Sequence, residues 1–441
     1  MKPSTWQRVW VGLTSGLVLL LASVYFLNHL DESPVTVPPL QASTPAQLQL
    51  QVQRGEYLAR AGNCMGCHTA RGGAPFAGGR AIPTPFGSVF TSNLTPDPVT
   101  GLGHWSGDDF WAALHNGRGR DGRLLTPAFP YTNYALVNRI DADALFAYLR
   151  SLPAVSQVKR PHQLRFPYDT QSALAVWRAL YFRPAVYQND VGRSAQWNRG
   201  AYLSQGLGHC NACHATRNSL GATAGLDDFS GGMLDALGWY APSLHDPAEA
   251  SVAGWSAQAL RQWLKTGFTT QAGVQDDAQA SALGPMGEVI LGSTRHLTDA
   301  DLSAMTNYLQ NLPQHSSASP PAATSRPDLG LRELGGKLFT DHCASCHGEQ
   351  GQGVAGAYPA LLGNRSVLMH NPANLLRIIQ RGGFAPATAG NPRPFGMPPF
   401  AGVLSDTEMA ALASFIRNSW GNQAADVRPL DVLQLKSQRV D

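Results

Sequence analysis

The sequence is poor in charge: Asp, Glu, Lys and Arg make up 14% of its 441 residues, against about a quarter in an ordinary globular chain. The formal net charge is +3 and the basic residues are scattered, which excludes nucleic acid as a partner. Only one long uncharged run is also apolar enough to cross a bilayer, so the chain is not a multi-span membrane protein. A coiled coil is excluded too, because 45 Gly and 31 Pro make much of the chain loop rather than long regular helix. Disorder is not the alternative, since hydrophobic residues at 43% supply buried cores. No cysteine is left over from a pair, and no methionine lies between His68 and Cys210.

The uncharged run extends from Val9 to Leu27, after Lys2 and Arg8, with Trp6 and Trp10 at one end and Tyr25 at the other. That length and those flanks predict a bilayer-spanning helix within residues 1–30. A cleaved signal peptide is the competing reading. The run is long for one, and Leu27-Asn28-His29-Leu30-Asp31 offers no small-x-small cleavage site, so an uncleaved anchor is preferred. Positive charge before the span and Asp31 and Glu32 after it place the remainder outside the cytoplasm, on the periplasmic face of a bacterial inner membrane. Residues 31–48, rich in Pro, Gln, Ser and Thr, read as a tether.

The six cysteines form three motifs, Cys64-Met65-Gly66-Cys67-His68, Cys210-Asn211-Ala212-Cys213-His214 and Cys343-Ala344-Ser345-Cys346-His347. Each is C-x-x-C followed at once by His, the attachment signature of c-type haem. One turn of chain presents two thiols to the vinyl edges of a porphyrin, and the next residue reaches the iron. Structural zinc, local disulfides and redox dithiols also use C-x-x-C, but none needs the histidine. With 13 His in the chain, three such coincidences have a chance of roughly 3 in 100,000. Three covalently bound haem c groups are expected, with His68, His214 and His347 as proximal iron ligands.

The surroundings repeat as well. Arg54-Gly55-Glu56-Tyr57-Leu58, Arg199-Gly200-Ala201-Tyr202-Leu203 and Gly335-Gly336-Lys337-Leu338-Phe339 precede the three motifs. A capped helix follows far downstream of each: Asp141 before Leu145 and Leu149, Thr298-x-x-Asp301 before Leu302 and Leu309, and Ser405-x-x-Glu408 before Leu412 and Ile416. The expected fold is all-α, with three tandem cytochrome c-type domains of loop-rich middle and one N-terminal transmembrane helix. The motifs recur about 140 residues apart, one domain each. The expected boundaries are 49–190, 191–312 and 330–424, with a Pro/Ser/Ala linker at 313–329 and a C-terminal tail at 425–441. The first junction, Arg165–Tyr168 and Leu180–Tyr187, is rich in aromatics and packs either within the chain or on a partner.

A relay haem has both axial positions filled. Met286 in Leu283-Gly284-Pro285-Met286-Gly287 and Met397 in Phe395-Gly396-Met397-Pro398-Pro399-Phe400 lie in expected loops before the last helices, where distal ligands belong. Met305 and Met409 read as core filler, and Met233 and Met369 are remote. The first domain has Phe129 at the equivalent place, so its distal candidates are His104, His115 or His162, or none. Pro83, Pro242 and Pro359 are candidates for the carbonyls that receive the proximal imidazole N–H.

With these residues in hand, the chain resembles the membrane-bound three-haem cytochrome c subunits of bacterial periplasmic dehydrogenases for alcohols, aldehydes or sugar acids. The likeness rests on the three motifs, Ile82-Pro83-Thr84-Pro85-Phe86-Gly87, Asn93-Leu94-Thr95-Pro96-Asp97-Pro98, Phe182-Arg183-Pro184, Gly284-Pro285-Met286 and Met397-Pro398-Pro399-Phe400. It implies electrons received from a quinoprotein, flavoprotein or molybdoprotein catalytic subunit and passed to ubiquinone or a terminal oxidase. The family commonly has Met where this chain has Phe129. No catalytic residues are expected in the chain itself. Two other functions fit the same motifs: a cytochrome serving a terminal oxidase without a dehydrogenase, and a peroxidase-like or oxyanion-reducing enzyme with an open first haem.

Overall fold

The uncharged run forms helix α1 (Thr5–His29), exposed along almost its whole length and long and apolar enough to cross a membrane. The computed structural model describes residues 5–30, 44–249, 252–269, 280–315, 329–354 and 356–437. Most of the expected tether and linker lies outside them. The chain divides into two compact units, residues 1–58 with 68–188, and 59–67 with 189–441.

In the first unit, α2 (Pro45–Ala61) precedes the first motif. Strands β1 (Ala81–Thr84) and β2 (Gly87–Phe90) form a hairpin with Thr84 opposite Gly87, and β3 (Gln163–Leu164) pairs with Gly87 and Ser88. Helix α3 (Gly107–Asn116) starts at a Ser106/Asp109 capping box and stops at Gly117, whose φ of 57° suits glycine. Helix α4 (Arg139–Ser151) begins at Asn138, whose side chain accepts from the Asp141 N–H, so Asp141 lies one turn inside the helix. The aromatic junction becomes α5 (Gln171–Tyr181), and Phe182 is buried in a cluster with Tyr131 and Ala135.

The second unit holds the other two helix pairs. Helix α6 (Ala195–Ala201) continues as a π-helical turn over Tyr202–Leu207, and α7 (Ala257–Thr266), α8 (Gly284–Gly292) and α9 (Asp299–Gln310) follow. Helices α10 (Leu329–His342), α11 (Ala373–Arg381) and α12 (Asp406–Asn418) make the last repeat, and Ser405 and Glu408 cap α12 reciprocally. Two short ribbons complete it: β4 (Gly232–Leu234) with β5 (Trp239–Ala241), and β6 (Gly383–Phe384) with β7 (Gly396–Met397). The fold is mostly helical, as expected, with these small sheets added. Within the expected C-terminal tail, α13 (Pro429–Ser437) buries Val432 and Leu435 beside Met409, Leu412 and Ile416.

The same crossing occurs three times. A Cβ on Gly55 would lie 1.9 Å from the Ala144 carbonyl oxygen, on Gly200 2.0 Å from that of Ala304, and on Gly335 2.2 Å from that of Ala411. The helix before each motif therefore touches the last helix of its repeat backbone to backbone, which only glycine permits. Ion pairs lock two crossings, Arg54 Nε to Asp141 at 2.7 Å and Arg199 to Asp301 at 2.8 Å. The third repeat has Leu334 in that place and uses Arg332 to Asp426 at 2.9 Å.

Replacing Gly200 or Gly335 by Ala is expected to cost about 2 kcal/mol or more, because the backbone must separate. Gly254→Ala, with nothing within 4 Å of the added Cβ, is expected to stay within about 0.5 kcal/mol. Denaturant unfolding of the three variants makes the comparison.

Candidate haem-attachment sites

Each motif folds as a single turn, over Cys64–Cys67, Asn211–His214 and Ala344–His347, which sets its two thiols on one side. The residues entering the first two, Asn63 (φ 48°) and His209 (φ 36°), are in the left-handed region, where Asn and His are among the more tolerant side chains. None of the six cysteines is in a disulfide. Burial, with the neighbouring motif cysteine adding to it, pushes the Cys64 and Cys210 thiols up to about 12. Among the described residues no three His, Cys, Asp or Glu side chains gather as a metal cluster would require.

The three motif histidines share one geometry. Nδ1 lies 2.7 Å from the Ser92 carbonyl in His68, 2.8 Å from Pro242 in His214 and 2.9 Å from Pro359 in His347. Burial lowers each imidazole pKa, outweighing the carbonyl that pulls the other way. Each ring is therefore neutral at pH 7, with Nδ1–H donating and the Nε2 lone pair available to a metal. Paired thiols on one turn followed by such an imidazole are the donor set covalent haem c requires. Pro242 and Pro359 are the acceptors anticipated. In the first motif Ser92 takes the place expected for Pro83, which lies in β1 paired with Ser88.

The distal candidates are more varied. Met286 is not in a loop: Pro285, free of the need for an N–H bond, starts α8, and Met286 is half-buried in its first turn. Met397 is half-buried on β7, opposite Gly383. Met305, Met369 and Met409 are in the cores, and Met233 accepts from Asn371 through its sulfur at 3.3 Å. In the first unit His104 is exposed. His115 stacks on Trp111 at 4.6 Å, and its Nδ1 is 2.9 Å from the Ala135 carbonyl. His162 Nδ1 accepts from the Phe90 N–H, and Phe129 packs beside Tyr134 at 5.2 Å.

Sequence reasoning missed how the second unit gathers the first motif's turn. Buried Ser293 Oγ donates to the Ala61 carbonyl at 2.8 Å, and a Cβ on Gly292 would fall 2.0 Å from Asn63 Oδ1. His209, just before the second motif, bonds to the Gly62 backbone. The Cys213 thiol is raised first by burial, with Arg217 opposing, and also by Cys67. The first two pairs of thiols are thus near neighbours. The only sequence signal was a pair of polar residues, Asn63 and His209, at the same place before each motif.

The family description "Cytochrome c" matches residues 333–420. The chain is 38% identical, over its whole length, to a nicotinate dehydrogenase subunit of Pseudomonas putida and spans 36% of that longer protein. It is 35% identical to the gluconate 2-dehydrogenase cytochrome c subunit of Pantoea cypripedii, covering 87% of this chain and 89% of the relative. Against the cytochrome c subunit of the quinone alcohol dehydrogenase of Komagataeibacter europaeus the identity is 34%, covering 90% and 86%.

Ser293→Ala removes the hydroxyl that holds Ala61. The expected loss is about 1 kcal/mol, read as a lower midpoint in denaturant unfolding followed by far-ultraviolet circular dichroism.

Proposed function

The chain belongs to the family of dehydrogenase cytochrome c subunits, and from that membership we propose that it carries three haem c groups. It relays electrons from a dehydrogenase catalytic subunit to ubiquinone or a terminal oxidase. The observation that carries this reading is the threefold recurrence of one arrangement, paired thiols on a turn and a half-buried neutral imidazole held by a backbone carbonyl. Haem c, when bound, supplies a one-electron iron couple whose potential follows axial ligand, burial and hydrogen bonding.

The chain's own residues do the rest. Cys64 with Cys67, Cys210 with Cys213, and Cys343 with Cys346 fasten the three groups; His68, His214 and His347 are the proximal ligands. Met286 and Met397 are the distal ligands of the second and third sites, both half-buried on short ordered elements. The first site has no thioether to offer, because no methionine lies between His68 and the second motif. Proximity of the Cys67 and Cys213 turns supports rapid exchange between the first two sites. The names of the relatives favour a dehydrogenase partner over an oxidase module working alone. Three domains, at 49–190, 191–312 and 330–424, each organised around one glycine crossing, follow from this reading. Helix α1 is the anchor that keeps them at the periplasmic face of the inner membrane.

Pyridine haemochrome analysis of the purified chain is expected to return three haems per polypeptide, and two for Cys343→Ser/Cys346→Ser. One haem per chain in the unaltered protein overturns the reading. Carbon monoxide added to the reduced protein is expected to bind no more than one haem per chain. Met286→Leu and Met397→Leu are each expected to add one equivalent; unchanged stoichiometry removes these residues as ligands.

A further inference from the structure

Helix α1 is not simply appended to the first unit. Its last turn is built into the fold through Asn28, the buried residue of that helix. Asn28 Nδ2 donates to the Ala175 carbonyl of α5 at 2.8 Å, and its Oδ1 accepts from Arg178 Nε at 3.0 Å. The Asn28 carbonyl accepts from Arg118 at 3.1 Å. Arg178 is 2% exposed, donates also to the Asn116 carbonyl, and lies over the Phe182 ring at 4.8 Å. A buried guanidinium needs every such partner, so losing Asn28 would strand it.

This seat places α5 where the span ends. The apolar span ends at Leu27, and polar Asn28 is the next residue, so whatever packs on Asn28 lies where the helix leaves the hydrocarbon. Helix α5 turns Arg178 and Ala179 inward, while Val176 (47% exposed) and Leu180 (61% exposed), four residues apart, share an outward face. Its sequence, QSALAVWRALY, has no charge other than the buried Arg178, and Trp177 and Tyr181 are side chains suited to an interface.

We propose that α5 lies in the outer-leaflet interface of the bilayer, with Val176 and Leu180 dipping among the lipid acyl chains beside α1. The continuity of this face with the end of the span selects lipid as its occupant rather than a second protein. The consequence is orientation: the unit that contains His68 rests on the membrane at two points, so α1 positions it as well as tethering it. This rests on the reading of α1 as an uncleaved anchor.

The test uses the full-length haem-loaded chain in nanodiscs of phosphatidylethanolamine and phosphatidylglycerol containing a lipid with a photoactivatable acyl chain. Adducts are mapped by mass spectrometry. Label is expected on α1 and on the α5 peptide, and none on the peptide containing Val99, which is 87% exposed in the same unit. Val176→Glu/Leu180→Glu is expected to lower labelling of α5 at least about tenfold while α1 labelling and haem absorbance stay unchanged, since both side chains face outward. Label on α1 alone overturns the proposal and leaves the anchor intact. Absence of label from both overturns the anchor reading together with this one. Protection of α5 only when a dehydrogenase catalytic partner is present assigns the face to that partner and overturns the lipid assignment.

Discussion

Backbone contact between two helices at a glycine is the constraint on which the rest of this structure depends. Gly55, Gly200 and Gly335 each press against the carbonyl of an alanine on the last helix of their repeat. That contact fixes where the chain stands as it enters the following C-x-x-C turn. A side chain there would part the helices and carry the thiols and the imidazole with them. The ion pairs Arg54–Asp141 and Arg199–Asp301 flank the crossing, and the third repeat replaces them with Arg332–Asp426. One geometry is thus held by two different electrostatic solutions, which marks the glycine rather than the ion pair as the indispensable part.

From that frame the chemistry of the sites follows. An imidazole that is half-buried, neutral and tied at Nδ1 to a carbonyl is fixed in tautomer and ring orientation, as a metal ligand must be. All three motif histidines meet these conditions with carbonyls 2.7–2.9 Å away. On the proposed assignment the sites differ on the other side: Met286 stands in the first turn of a helix begun by Pro285, Met397 on a two-residue strand, and the first repeat has Phe129 packed beside Tyr134. The proximal half of the site is therefore the invariant of the internal repeat, and the distal half is where the three copies diverge.

What was legible in the sequence was what local chemistry dictates. The C-x-x-C-H spacing and the Thr298 and Ser405 caps of the second and third last helices depend on neighbours a few residues away, and they stand where they were read, whereas the first last helix is capped by Asn138 with Asp141 one turn inside it. Pro83 misled because a carbonyl acceptor has no side-chain identity: Ser92 serves as well as proline, and only the course of the chain chooses. Met286 was expected in a loop because it stands shortly before the last helix of its repeat, but Pro285 at a first turn begins a further helix there. Within residues 425–441, α13 is too short and too weakly amphipathic to declare itself until Val432 and Leu435 meet the core.

The sequence by itself determined the three C-x-x-C-H motifs, the threefold repeat around them and the long apolar span, because each is a pattern of side chains along the chain. Tertiary structure alone decided that the first C-x-x-C turn packs beside the second through Ser293, Asn63 and His209. It alone seated the end of α1 on Arg178 through Asn28. Those contacts join residues more than a hundred positions apart, and a polar side chain at such a distance carries no local signature of the partner that burial will force on it.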